Sequence, residues 1–250
     1  VPYLGPSFQT IASFGANAAV VHYHPTRACS ARVRDVDEGA VFLCDAGAHF
    51  AFGTTDTTRT VWVGSRASRA TAAFAEARTD YTLVLKAHLA LMHAVFPKGT
   101  KPHVLDALAR APLWRAGRDY PHGTGHGVGA FGCVHEYPPL ISKACPAEGS
   151  PYDAPHGFVP GMVVTVEPGL YVTGKRGVRI ESLAVCVAVG AESTTTTTTT
   201  TPFCRFENLT PVPFCEELVD WSALTGEEAD AVRKHQKWCE DVATEFVRVG

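Results

Sequence analysis

Three histidines fall within fourteen residues, in His122-Gly-Thr-Gly-His126-Gly-Val-Gly129 and then Cys133-Val-His135-Glu136. Imidazoles can ligate a metal, hold a substrate or exchange a proton near neutral pH. The segment is too Gly-rich for a helix interior and too polar for a core strand. A metal here needs carboxylates, and the chain offers four in one context. Asp45 ends the apolar run Ala40-Val-Phe-Leu-Cys44, and Asp56 follows Gly53-Thr-Thr55. Glu167 follows Met162-Val-Val-Thr-Val166, and Glu181 sits early in the run that begins Gly177-Val-Arg179-Ile180. A buried carboxylate costs several kcal/mol unless it is paired or metal-bound. Any one of these reads as a capped turn or a salt bridge. Four of them beside a Gly-flanked histidine, with Arg59 and Arg179 as the main cations to neutralise them, favour a dinuclear metal centre. Mostly oxygen donors with one imidazole favour Mn, Fe, Co or Zn over Mg or Ca. Bridging carboxylates can hold two metals roughly 3.5–4 Å apart, where they activate a shared water.

The elements that must position these groups follow from pattern. Ala18 to Tyr23 reads as a strand turning at Pro25, and Thr26 to Gly39 as a polar loop. Ala40 to Cys44 is a buried-type strand, with Ala48 to Phe52 as a hairpin partner and Thr57 to Val63 continuing the meander. Ser65 to about His93 is the longest helix, with Phe74, Tyr81, Val84, Leu85, His88 and Met92 near helical spacing, stopped by Pro97-Lys-Gly99. Lys101 to Ala116 is a second helix ended by Gly117. Cys145 to His156 is a surface loop. Strands are expected at Met162 to Val166, from Gly177 to about Val189, and from Phe203 to Phe214. Ser193 to Thr201, with eight consecutive threonines, reads as a low-complexity surface insertion. Thr225-Gly-Glu-Glu228 is a capping box that starts a helix with Ala229, Val232, Cys239, Val242 and Phe246 on one face.

With 250 residues, 46% hydrophobic and 19% charged, the chain suits one large domain or two small ones. The net charge of -3 argues against nucleic acid or an anionic membrane surface as partner. No apolar run approaches the roughly 20 residues of a membrane span. Eight scattered cysteines without a C-x-x-C pair read as reduced, mostly buried thiols in a cytosolic protein.

Asp45-Ala-Gly, Gly53-Thr-Thr-Asp56-Thr-Thr-Arg-Thr, His122-Gly-Thr-Gly-His126-Gly-Val-Gly, Val134-His-Glu136, Glu167-Pro-Gly and Gly177-Val-Arg-Ile-Glu181, in that order, resemble the signature set of the pita-bread metallopeptidases. Within these the set is most similar to the cytosolic aminopeptidase P (Xaa-Pro aminopeptidase) group. The resemblance implies an α/β (α+β) pita-bread fold with a curved, mostly antiparallel sheet and flanking helices. It implies that Asp45 chelates one metal, that Asp56 and Glu181 bridge both, and that His126 and Glu167 complete the second. Glu167 would also exchange a proton. His22, His122 and His135 would line the substrate site without ligating.

The expected chemistry is hydrolysis of the N-terminal Xaa-Pro bond by a hydroxide bridging two divalent ions, Mn²⁺ first and Zn²⁺ or Co²⁺ as alternatives. The expected partners are peptides with proline second, and a homodimer. The expected compartment is the cytoplasm. By the same resemblance, residues 1–250 form one catalytic domain, incomplete at its N-terminal side and without the two further N-terminal domains of the cytosolic enzyme. Phe50-Ala51-Phe52 and the threonine run depart from the family pattern. A prolidase, which takes dipeptides, is the nearest alternative, and a non-catalytic binding module on the same fold is the other.

Overall fold

The computed structural model describes residues 1–26, 38–189 and 202–249. Most of the expected 26–39 loop and the threonine run lie outside them. In chain order the strands are β1 (Tyr3–Pro6), β2 (Ile11–Phe14), β3 (Ala40–Ala46), β4 (Ala48–Phe50), β5 (Gly53–Thr54), β6 (Thr57–Val63), β7 (Val95–Pro97), β8 (Gly125–His126), β9 (Leu140–Ile141), β10 (Val163–Val166), β11 (Gly169–Val172), β12 (Arg176–Arg179), β13 (Ser182–Ala188) and β14 (Phe203–Asn208). The helices are α1 (Ala72–Met92), α2 (Pro102–Arg115) and α3 (Gly226–Val249). Every strand pair among the described residues is antiparallel, in ladders ordered β1-β4-β5, β2-β3-β6, β10-β13-β14-β7, β11-β12 and β8-β9.

Side chains and single backbone bonds stitch the ladders together. Thr60 Oγ1 donates to the Arg179 carbonyl at 3.0 Å, and Glu181 N donates to the Thr58 carbonyl at 3.0 Å. β6 is thereby joined to the β12–β13 junction, the point where two of the carboxylates meet. One apolar core packs Val41, Leu43, Tyr81, Leu85, Val178 and Ile180 with α1 across them, and a second joins Phe96, Leu105, Phe158, Val164 and Phe206. Burial of this kind contributes about 1.5–3 kcal/mol per large apolar side chain and holds the sheet against its helices.

Several expectations are corrected. The segment at 18–23 is not a strand; Gly15–Ala19 is a 3-10 turn and the strand of this region is Ile11–Phe14. Helix α1 begins at Ala72 rather than Ser65, because Thr71 caps it by accepting from Phe74 N, after a separate 3-10 turn at Ala67–Ala70. Its end at Met92 is followed by the unforeseen strand β7. The hairpin partner of β4 is β5, with β1 on its other edge, not β3. The run from 177 to 189 is two strands, with Glu181 in the break between them. The strand from Phe203 ends at Asn208, not Phe214.

The capping box is present: Thr225 N donates to Glu228 Oε2 at 2.8 Å, and Glu228 N to Thr225 Oγ1 at 3.2 Å. Phe246 leaves the buried face of α3 and stands 77% exposed, since the last turns of this helix have nothing described beneath them. Of the described cysteines, Cys186, Cys204 and Cys239 are buried, while Cys133 and Cys145 are exposed, so the thiols are not mostly buried. Among the described residues no helix is long and apolar enough to cross a membrane.

Candidate metal centre

The β2-β3-β6 ladder and the β10–β13 region bring the four carboxylates to one wall of a cavity of about 480 Å³, and the His/Gly segment closes it. Asp45 lies in β3, opposite Thr58 of β6. Asp56 immediately precedes β6, Glu167 follows β10 and Glu181 precedes β13. Ligating atoms of Asp45, Asp56 and Glu181 lie within 4.8 Å of one another, as do those of His126, Glu167 and Glu181, and those of Asp56, His126 and His135. All five expected ligands therefore converge. The expected substrate residues His22, His122 and His135 line the same cavity, His22 and His135 from exposed positions.

The His/Gly segment is more regular than its composition suggested. Gly125–His126 is a short strand against Leu140–Ile141, and Gly127 bridges Val164 of β10 on its other side. Backbone N–H groups of this buried stretch are paired: Thr124 N with the Ile141 carbonyl, His126 N with Thr165 Oγ1 and Gly127 N with the Pro139 carbonyl. A Cβ at 125 would overlap the Thr165 carbonyl oxygen, and one at 127 the Glu136 carbonyl oxygen. These glycines admit neighbouring backbone.

His126 is oriented from behind. Its Nδ1 hydrogen-bonds the Gly127 carbonyl at 2.9 Å, and a carbonyl only accepts, so Nδ1 carries the proton. The Nε2 lone pair is left facing Asp56 Oδ2 at 3.4 Å and Glu167 Oε1 at 3.5 Å. That is the tautomer a metal ligand needs. Burial works to depress its pKa, but Asp56 and the charge of Glu167 leave it raised, so without a cation a second proton on Nε2, shared with Asp56, competes for the position the lone pair offers a metal.

The carboxylates repel one another in a space short of water. Burial first, then Asp56, Glu167 and Asp45, push Glu181 well above the usual range. Burial raises Glu167 to about 7 against the pull of His126 and Arg179. Asp45 is also raised, by burial and Asp56, with Arg179 opposing. Arg179 donates from Nη2 to Asp45 Oδ2 at 2.7 Å, but Asp45 Oδ1 is buried with no partner among the described residues. Arg59 does not neutralise a carboxylate. Its guanidinium binds the carbonyls of Thr58, Glu181 and Val212 instead. An orphaned carboxylate oxygen, three raised carboxyls and an imidazole lone pair pointing the same way fit a centre for two divalent cations.

A second layer was only partly legible in the sequence. Thr58 Oγ1 donates to Glu181 Oε2 at 2.7 Å and accepts from Arg179 Nε at 3.1 Å. Thr165 Oγ1 accepts from His126 N at 3.1 Å and donates to Glu167 Oε1 at 3.3 Å. Tyr171 accepts from Arg179 Nη1 at 3.0 Å and meets His122 Nε2 at 2.8 Å, while His122 Nδ1 meets the Gly123 carbonyl at 2.7 Å. His122 is thus neutral, its pKa lowered to about 4 by burial against the opposing Gly123 bond.

Helix α2 fixes the start of the segment. Buried Arg110 binds Asp106 and Asp119 at 2.6 Å each and the carbonyls of Tyr120 and His122 at 2.8 and 2.7 Å. The i,i+4 spacing of Asp106 and Arg110 was its visible signal. His24, which sequence pattern assigned no role, lines the cavity beside His22. His49 lies away from it, bonded to Thr54 at 2.9 Å.

Such a donor set on an antiparallel scaffold is that of a candidate dinuclear metal centre. The chain belongs to metallopeptidase family M24, whose model matches residues 3–188, with the C-terminal region of that family matching 202–248. It is 47% identical over 233 residues to a probable Xaa-Pro aminopeptidase P of Sordaria macrospora, covering 93% of this chain and 35% of that protein. It is 42% identical over 246 residues to aminopeptidase P1 of Arabidopsis thaliana, covering 98% and 35%. The chain thus spans about a third of the length of these curated relatives. Among solved structures it is similar to the X-prolyl aminopeptidase of Caenorhabditis elegans, described as a cytosolic enzyme with a di-nuclear active site, at TM-score 0.84 and 35% identity over 99% of this chain and 37% of that one. The prolidase of Pyrococcus furiosus follows at TM-score 0.56 and 31% identity, over 72% and 46%. The pita-bread fold is therefore that of this chain.

Proposed function

We propose that this chain is the catalytic domain of a metal-dependent Xaa-Pro aminopeptidase, and that residues 1–250 form one domain of a longer enzyme. One observation carries the reading: four carboxylates and His126 converge in a cavity that His22, His122 and His135 also line. The names of the relatives support the same activity over the prolidase alternative.

Asp45, Asp56, His126, Glu167 and Glu181 would hold two divalent ions, Mn²⁺ first and Zn²⁺ or Co²⁺ next. The ions supply Lewis acidity toward the scissile carbonyl and a nucleophilic water at neutral pH. The chain's own residues do the rest. Asp45, anchored by Arg179 and lining the cavity, is the carboxylate to pair with the peptide's free N-terminal amine, which would restrict cleavage to the first residue. His135 stands with its ring 4.2 Å from that of His126, and its nitrogens make no hydrogen bond among the described residues. It is therefore the imidazole available to donate to a substrate oxygen or to the leaving prolyl nitrogen, which must be protonated to depart. His122 is less available, because both of its nitrogens are engaged by Gly123 and Tyr171; its role is to shape the proline-side wall. Glu167 is the carboxyl placed to pass a proton. Cytoplasmic residence and a homodimer belong to the same reading, on the analogy of the nematode enzyme's description for the first.

The test is to load the purified protein with Mn²⁺ and supply a bradykinin-like peptide with proline second, alongside an Xaa-Pro dipeptide. Release of the N-terminal residue from the longer peptide is expected. Cleavage of the dipeptide alone would favour prolidase. Binding of two metal ions without cleavage of either would favour a non-catalytic module.

A further inference from the structure

Helix α2 carries a charged pair that the proposed chemistry does not use. Asp106 and Arg110 are both buried, one helical turn apart, and Arg110 Nε donates to Asp106 Oδ2 at 2.6 Å. Desolvating two charges offsets much of their attraction, so such a pair is a weak source of stability. A polar network with every member satisfied supplies something else, a single fixed arrangement. The buried polar side-chain atoms of Asp106, Arg110, Tyr120 and Thr124 all have partners.

The far end of this network is Thr124, fully buried within the His/Gly segment. Its Oγ1 donates to Asp106 Oδ1 at 2.6 Å. The Tyr120 hydroxyl, 2.5 Å from the same Oγ1, therefore donates to it. The Arg110 guanidinium in turn lies over the Tyr120 ring, 3.8 Å from its centroid. The threonine hydroxyl is thus held from two sides.

The backbone of Thr124 leads to the metal wall. Its carbonyl accepts from Glu167 N at 2.8 Å, and its N–H donates to the Ile141 carbonyl at 2.7 Å. Glu167 Oε1 stands 3.5 Å from His126 Nε2. The surrounding pairing is short. Strands β8 and β9 have two residues each, and one bridge at Gly127 joins them to β10. A ribbon this short is marginal by itself, and a side-chain latch to a helix settles where it lies.

We propose that Thr124 is a positioning residue for the metal centre. Latched to α2 through Asp106, it holds the carbonyl to which the Glu167 N–H is bound, and so sets the Glu167 carboxylate opposite His126. This role rests on the reading in which His126 and Glu167 complete one of two ion sites.

Titration calorimetry of the whole chain with Mn²⁺ tests it. Thr124→Val keeps the side-chain shape and removes the hydroxyl; Thr124→Ser keeps the hydroxyl. Wild type should bind two ions. Thr124→Val should bind one of them about 10–100-fold more weakly and the other as before. Thr124→Ser should bind both as wild type does. Phe206→Leu, which loosens the second apolar core from β14, should lower the urea midpoint and leave both affinities unchanged. Should Thr124→Val fail to fold, Thr124→Ala carries the same expectation, since its gap admits a water to Asp106 but no tether. Two unchanged affinities in the valine or alanine variant, no recovery in Thr124→Ser, or an equal loss in Phe206→Leu would each overturn the role of Thr124 and leave the metal centre standing. Absence of Mn²⁺ binding by wild type would instead overturn the metal centre itself, and this role with it.

Discussion

Replacing Glu167 by glutamine should stabilise the metal-free chain, though it removes a proposed ligand and is expected to impair the site. The side chain is 20% exposed, and burial among Asp45 and Asp56 raises its pKa from 4.5 to about 7. The sign follows directly. A carboxyl whose folded pKa is raised contributes fully below the unfolded value and loses that contribution as pH rises through the folded one. Ionisation of wild-type Glu167 therefore destabilises the fold progressively between pH 4.5 and about 7. At about 1.4 kcal/mol per pH unit the penalty reaches ~3 kcal/mol above pH 7. Glutamine carries no such penalty and keeps the Thr165 contact. The variant and wild type should unfold at similar urea concentrations at pH 4.5, and the variant should be more stable by ~3 kcal/mol at pH 7.5 in the presence of chelator. For a chain this size that corresponds to roughly 6–12 °C in Tm. Using the variant as the comparison cancels the opposite contribution of His122, which stays neutral in the fold and disfavours it at acid pH. A gap that does not change with pH, or a variant less stable at pH 7.5, would refute the account of a carboxylate cluster held apart from its counter-ions. Adding Mn²⁺ should then reverse the order, raising wild type above the variant.

Other outcomes follow from the same geometry. His126→Ala should lower metal affinity and cleavage of an Xaa-Pro peptide by about 100-fold or more, while His49→Ala leaves both unchanged; equal losses in calorimetry and peptide assay would contradict the ligand assignment. Thr58→Val strips a donor from Glu181 and an acceptor from Arg179, so it should cost about 1–3 kcal/mol in urea unfolding and weaken metal binding measurably. Arg110→Ala leaves Asp106 buried without its partner and frees the Tyr120 and His122 carbonyls, an expected loss of about 3–5 kcal/mol. Tyr171→Phe should remove the Arg179 and His122 bonds and lower kcat with little change in metal content; an unchanged kcat would remove Tyr171 from the site.

The chemistry of this chain was more legible than its scaffold. Asp45 and Glu167 stand out as acids where apolar runs end, Glu181 as one early in such a run, and Asp56 and His126 through their Gly- and Thr-rich motifs, and all five meet in space. Strands that depend on distant partners left weaker marks. Val95–Pro97 is three residues behind a long helix and exists because β14 pairs with it. The break at Glu181 follows from its N–H bonding Thr58 rather than continuing either ladder. The apolar run from Ala18 to Tyr23 reads as a strand in sequence, yet only Ala18 and Tyr23 are buried and the backbone there is held by a turn in which Val20 N reaches the Asn17 carbonyl. Thr58, Thr165 and Arg110 act through partners far away in sequence or through backbone carbonyls, which composition and spacing alone do not mark.

The alternation in the His/Gly segment has one more consequence. Positions 125 and 127 press bare backbone against neighbouring carbonyls, while 122, 124 and 126 carry the groups that turn toward ring, hydroxyl or carboxylate. The segment behaves as a ribbon with one bald edge and one furnished edge. Point changes at 122 and 126 on the furnished edge alter what the site can do and leave its path through the fold alone. A single inserted or deleted residue puts a side chain where Gly125 now stands and drives its Cβ into the Thr165 carbonyl. For a protein engineer the donor at 126 is an open choice, and the count of residues between the donors is not.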